Sequence, residues 1–153
     1  YIINLQGDEP NIDIDGLKHL DRLVKKNSSE IGTLASKIKD KSILKNENIV
    51  KVITETQLDS QNFPLALKFQ RKIDQSESQN VSHHIGIYAY KTEILEKIVK
   101  LEQSKNEIKN KLEQLRATDN DIKINVALAK FSSIGVDTME DYLALKKILE
   151  YKS

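Results

Sequence analysis

Apolar residues fall along this chain in short runs and spaced stripes that alternate with one another. Tyr1–Leu5 is apolar, too short for a helix, and closed by Gly7 and Pro10, which predicts a strand. Leu17, Leu20, Leu23 and Val24 recur at helical spacing and predict a helix from about Ile14 to Lys26. Ile31–Ile38, the β-branched run Ile49–Thr54, Pro64–Phe69 and the alternating His84–Tyr90 predict four further strands. The stretch Asp74–Ser82 is polar and predicts a loop. Ile94, Leu95, Ile98 and Val99 place a helix from Thr92 to about Lys100. Ser104 and Glu107 have capping-box spacing, so a fresh helix is expected through Arg116, with Ile108, Leu112 and Leu115 on its core face. Ile122–Ala129 alternates as a strand. Thr138 to about Tyr151 closes the chain as a helix with Tyr142, Leu143, Leu145, Ile148 and Leu149 as its apolar stripe.

Strands interleaved with helices predict an α/β layer architecture. The runs Ile49–Thr54, Pro64–Phe69 and His84–Tyr90 have no helix between them, which predicts a partly antiparallel addition to the sheet. The 153 residues suffice for one sizeable core. Charged residues make up 31% but leave a formal net charge of only +1, which is no electrostatic footprint for nucleic acid. There is no cysteine, so thiolate metal sites and a cysteine nucleophile are excluded. No apolar run approaches the roughly 18–20 residues of a membrane span. Tyr1 opens directly in a strand, which reads as a chain cut from something longer.

In open α/β sheets ligands bind beyond the carboxyl ends of strands, where Asp8 falls. Gly7 permits a sharp turn there, and a carboxylate so placed suits Mg²⁺, which prefers hard oxygen donors. Asp8 and Glu9 can equally be turn residues, since Asp and Pro are ordinary turn formers. Asp137 follows Gly135-Val136 and precedes the last helix. It can cap that helix, or leave the cap to Thr138 and face a metal. His84 and Tyr88, four apart in a strand, project to one face and suit sugar hydroxyls or a carboxylate. They serve equally as satisfied core residues. Arg71 can bind a carboxylate bidentately or stand as a solvated surface cation. Glu113 and Arg116 can pair along a helix surface.

Together the stretches Ile3–Pro10, Asn48–Val52, His84–Tyr90, Leu112–Arg116 and Gly135–Thr138 resemble the 3-deoxy-manno-octulosonate (Kdo) cytidylyltransferases, in order and spacing. The resemblance implies a nucleotide-diphosphosugar-transferase-like mixed sheet with flanking helices, and a cytoplasmic homodimer serving lipopolysaccharide biosynthesis. It implies the reaction of CTP with Kdo to give CMP-Kdo and pyrophosphate, with Mg²⁺ as cofactor. By position it implies Asp8 and Asp137 as metal carboxylates, and Gln6, Arg71, His84, Tyr88, Glu107 and Gln114 as sugar-side contacts. Membrane and nucleic acid are not among the implied partners.

The family's basic phosphate loop is absent and is expected upstream of Tyr1. Residues 1–153 therefore read as the carboxyl-terminal part of a single cytidylyltransferase domain, expected not to turn over alone. Departures also fall at His83, where the family has a long cation, and at Asn110, where it has Glu. The alternatives are a non-catalytic dimerisation scaffold built on the Ile94–Leu115 helices, or a cytidylyltransferase for a related acidic or amino sugar.

Overall fold

The computed structural model describes residues 1–6, 12–73 and 79–131, with residues 139, 142, 143, 146 and 147. The elements are β1 (Ile2–Asn4), α1 (Ile14–Asn27), β2 (Ile31–Lys37), a 3₁₀ turn (Lys41–Lys45), β3 (Lys51–Thr54), β4 (Ala66–Gln70), β5 (Val81–Tyr90), α2 (Thr92–Ile98), α3 (Lys105–Asn110), α4 (Leu115–Thr118) and β6 (Ile124–Leu128). The predicted strands and the first helix are all present. The strands form one mixed sheet in the order β4-β3-β5-β2-β6, with β1 also paired to β5. β3 is antiparallel to both β4 and β5, the addition that the helix-free run of strands implied. β2 and β6 are parallel.

Alternation along the strands divides the apolar residues between two faces. Ile31, Ala35, Val52, Phe69, Tyr88, Ile124 and Val126 form one core with Leu112 and Ala117. Leu34, Ile85, Ile87, Ala89 and Ala127 form the other with Leu20 and Val24 of α1. The sheet is thus sandwiched, with α1 on one face and the shorter helices on the other.

Asp13 starts α1 by accepting from the Gly16 amide, and Ser28 stops it in the left-handed region at φ 50°. The helix lies close to β2 because Gly32 has no side chain. A Cβ there would stand 2.4 Å from Val24 Cγ1 and 2.8 Å from Leu20 Cδ1. Gly32→Ala is therefore expected to lift α1 and cost about 1–3 kcal/mol, the usual range for overpacking. Urea unfolding checks this; a loss below about 0.5 kcal/mol would show that α1 has slack.

The stretch expected as one helix through Arg116 is two. Ser104 and Glu107 do form the capping box, but Lys111 turns left-handed at φ 52° and ends α3. In consequence Leu112 is buried, whereas Ile108 is 60% exposed instead of facing the core. Ile94, Ile98, Leu101 and Leu115 pack on the chain's own core, so the helical stripe considered as a docking face is largely occupied internally. Of the expected last helix, Met139, Tyr142, Leu143, Lys146 and Lys147 are helical. The rest lies outside the described residues. Among the described residues no helix is long and apolar enough to cross a membrane.

Candidate active site

β1 and β2 are both antiparallel to β5, and β6 is parallel to β2, so β1, β2 and β6 end at the same edge of the sheet. That is the edge where open α/β sheets hold ligands. In chain order Asp8 follows β1 and Asp137 follows β6. Both aspartates lie outside the described residues. Their described flanks are joined: Asp13 accepts from Gly16 N–H at 3.1 Å and, through its other oxygen, from Lys130 N–H at 2.7 Å. Lys130 Nζ also reaches Asp15 at 2.6 Å, which holds the Asp15 carboxyl below the usual range. Asp13 was missed by sequence reasoning. Its signal was an acid directly before a helical stripe, but its second bond joins residues 117 apart and leaves no local trace. Gln6 is exposed just beyond β1, whose Asn4 pairs with Tyr88.

One face of the sheet carries a row of rings. Phe69 meets His84 edge-on with centroids 5.1 Å apart, His84 lies 5.5 Å from Tyr88, and Tyr88 stacks on Tyr90 at 5.7 Å. The spacing of four residues does put His84 and Tyr88 on one face. It does so across an irregularity: Thr33 pairs with Tyr88 but Leu34 pairs with Ile85, so Gly86 and Ile87 are extra on β5. An insertion of two residues preserves the alternation. Thr33 fills the irregularity, its hydroxyl lying 2.8 Å from Ile87 O, 3.2 Å from Ile85 O and 3.0 Å from His84 Nε2. Burial, then the neighbouring His83, pushes the His84 pKa down to about 3, so the ring is neutral at physiological pH. Because the unfolded ring protonates near 6.5, this group's contribution to stability declines as pH falls from there toward 3. At the far end burial, then Glu113, raises Tyr90 to about 12, keeping it a phenol.

Arg71 and Glu107, both implied as sugar contacts, make internal bonds. The Arg71 guanidinium donates to Glu47 O at 3.0 Å and to Asn110 O and Lys111 O at 3.2 Å, where it caps the carboxyl end of α3. A guanidinium has five donors, so the side chain still has capacity for an anion. Beneath it Lys51, 0% exposed, points its ammonium at Asn46 O (2.5 Å), Ile49 O (2.7 Å) and Arg71 O. Burial, then Arg71, lowers the Lys51 pKa. A lysine interrupting a β-branched run was the sequence signal for this anchor, and it was not used.

Glu107 is 3% exposed. It accepts from Arg116 through both oxygens (2.9 and 2.5 Å), from Ser104 N–H at 3.2 Å and from Gln103 at 3.3 Å. The Arg116 bonds above all hold its pKa below the ordinary glutamate value. Arg116 lies 3.9 Å from Glu113, so the helix-surface pairing read from the sequence is secondary. Gln114 opens α4, with no side-chain capping bond, and Leu115 beside it packs on the ring-bearing core. A separate groove of about 510 Å³, lined by Ile3, Leu17, Lys18, Asp21 and Arg22, lies on the α1 face and includes no candidate residue. Among the described residues no three potential metal-ligating side chains gather.

A mixed sheet between helices, with a polar aromatic wall on one face, and its match to a solved structure define an α/β protein of the nucleotide-sugar-transferase type. The chain belongs to the cytidylyltransferase family, whose model matches residues 1–124. It is 41% identical over 148 residues to a 3-deoxy-manno-octulosonate cytidylyltransferase of Bartonella tribocorum, covering 97% of this chain and 60% of the relative. It is 40% identical over 152 residues to the protein of the same name from Thermodesulfovibrio yellowstonii, with the same coverage. A solved CMP:2-keto-3-deoxy-manno-octonic acid synthetase complexed with CTP superposes with a TM-score of 0.85 at 28% identity, over 99% of this chain and 62% of that one. Apo UDP-glucose pyrophosphorylase shares the fold alone, at a TM-score of 0.60 and 16% identity over 97% and 50% of the two chains. The chain thus spans about three-fifths of the length of these curated relatives.

Proposed function

We propose that this chain is part of a cytidylyltransferase that joins CTP and Kdo into CMP-Kdo with release of pyrophosphate. The observation that carries this reading is the superposition of 99% of the chain on a CMP:2-keto-3-deoxy-manno-octonic acid synthetase at a TM-score of 0.85. The similarity to named Kdo cytidylyltransferases supports it. In the reaction the anomeric hydroxyl oxygen of the sugar bonds to the α-phosphorus of CTP, the bond to pyrophosphate breaks, and the hydroxyl proton is released. Asp8 and Asp137 supply the hard oxygen donors that suit Mg²⁺. When bound, the ion neutralises phosphate charge. Gln6, Arg71, His84, Tyr88 and Gln114 form the sugar side, with His84 neutral. Glu107 acts there by holding Arg116. The reading includes a cytoplasmic homodimer, as the family resemblance implies.

The test is a chimera in which these 153 residues replace the matching stretch of the Bartonella tribocorum relative. It is expected to release pyrophosphate only with CTP, Mg²⁺ and Kdo together. Asp8→Ala or Asp137→Ala should each cut the rate at least about 100-fold, since roughly 1.4 kcal/mol of barrier is tenfold. Release with another acidic sugar but not Kdo would reassign the substrate. A folded chimera without release on any such sugar would refute the reaction.

A further inference from the structure

We propose that Thr33 is a positioning residue that fixes His84 with its proton on Nε2 and a bare lone pair on Nδ1, so that His84 accepts a hydrogen bond from a hydroxyl of the sugar. The cytidylyltransferase reading enters only in the identity of that hydroxyl. The orientation itself follows from proton counting. A threonine hydroxyl carries one proton. Thr33 Oγ1 stands 2.8 Å from Ile87 O and 3.2 Å from Ile85 O, and two oxygens that close without a hydrogen between them repel. These carbonyls belong to Ile85, just before the two extra residues of β5, and to Ile87, the second of them, where the ladder to β2 is interrupted. The proton therefore goes to the carbonyls, and Oγ1 is left as an acceptor. His84 Nε2, 3.0 Å away, must donate to it.

Among the described residues, none packed on the ring favours a second proton there. Thr33 is 0% exposed and His84 8%, the ring lies against Phe69 and Tyr88, and the adjacent titratable group is His83. Burial accordingly keeps His84 neutral over the physiological range. A neutral ring that donates through Nε2 can only accept through Nδ1. A hydroxyl meets that requirement. A carboxylate brings no hydrogen and is disfavoured there, which resolves the two ligand groups that the His84–Tyr88 spacing left open.

The experiment is ¹⁵N-edited NMR of the imidazoles in this chain, which has only three histidines to assign. In the wild type His84 should show a protonated-type Nε2, an unprotonated-type Nδ1, and a slowly exchanging Nε2–H. Thr33→Ser keeps the hydroxyl and should preserve all three. Thr33→Val removes it and should speed exchange of that proton at least about tenfold while both nitrogens shift toward mixed tautomers. A wild-type His84 protonated on Nδ1 overturns the proposal even if Thr33→Val fails to fold. So does a folded Thr33→Val chain with the wild-type nitrogen shifts and slow exchange.

In the chimera, Thr33→Val should raise the KM for Kdo about tenfold with kcat changed less than about threefold, and Thr33→Ser should restore it. An unchanged KM overturns the link to the sugar. The spectra need no nucleotide and no turnover, so their failure leaves the reaction standing, and failure of the reaction leaves the tautomer standing.

Discussion

Replacing Arg116 with alanine is expected to remove about 3–5 kcal/mol of folding stability, the range for leaving a buried charge without its partner. The reason is the asymmetry of the pair. Arg116 is 16% exposed at its side chain but Glu107 only 4%, so the carboxylate cannot turn to water when the guanidinium is gone. It would keep the Ser104 amide and Gln103, which are weaker than a two-pronged guanidinium. The pH dependence provides a second check. Arg116 depresses the Glu107 pKa in the folded state, so the stability it contributes is present above the unfolded value of about 4.5 and is lost as pH falls through the depressed folded value. The gap between wild type and Arg116→Ala should therefore narrow in acid. The His84 contribution, which declines from about pH 6.5, is common to both chains and cancels in the comparison. Glu113→Ala is the control: Glu113 is 83% exposed and 3.9 Å away, and its loss should cost less than about 1 kcal/mol. Urea titrations at neutral and acid pH measure all of this. A loss under about 1 kcal/mol, or a gap that does not depend on pH, would mean the pair is not the anchor of α3 and α4.

Lys51→Met should cost about 3 kcal/mol, roughly 1 kcal/mol for each of three carbonyls that lose their donor. Methionine matches the length and apolar stem of the lysine, so the change tests the ammonium and not the packing. The effect should also travel. Lys51 holds the Arg71 carbonyl, and the Arg71 guanidinium in turn holds Glu47, Asn110 and Lys111. Amide exchange should therefore quicken around residues 46–49 and at the α3–α4 junction, which stands beside Gln114. Arg71→Ala, at the half-exposed end of the same chain of bonds, should be milder. A Lys51→Met chain within about 0.5 kcal/mol of wild type would show that water satisfies those carbonyls.

Much of the sheet was legible because strand alternation is a local property. A residue's neighbours two positions away determine which face it shares, and His84 and Tyr88 kept their common face even across the irregularity at Gly86 and Ile87. The first helix was legible for the same reason, from Leu17, Leu20, Leu23 and Val24. The Ser104–Glu107 capping box was read correctly as a start. The end of that helix was not, because nothing in Asn110-Lys111-Leu112 announces a left-handed turn. Lys111 takes φ 52° where Arg71, some 40 residues earlier, donates to the freed carbonyls.

The site divides along the same line. Sequence by itself determined which residue types the chain offers for a site: a carboxylate after the first strand, another before the expected last helix, and a histidine and tyrosine on one face. Their local spacing expresses that chemistry wherever the chain folds. Tertiary structure alone decided what each described group is free to do. Asp13 reaches Lys130, Glu107 is claimed by Arg116, three of the five Arg71 donors go to carbonyls and leave the others for a ligand, and Thr33 sets the proton of a ring 51 residues away. Hydrogen-bonding capacity is finite, and a donor or acceptor occupied by a distant partner is unavailable to a substrate. Which partner occupies it depends on which segments the sheet brings within 3 Å, and no local pattern in the chain encodes that.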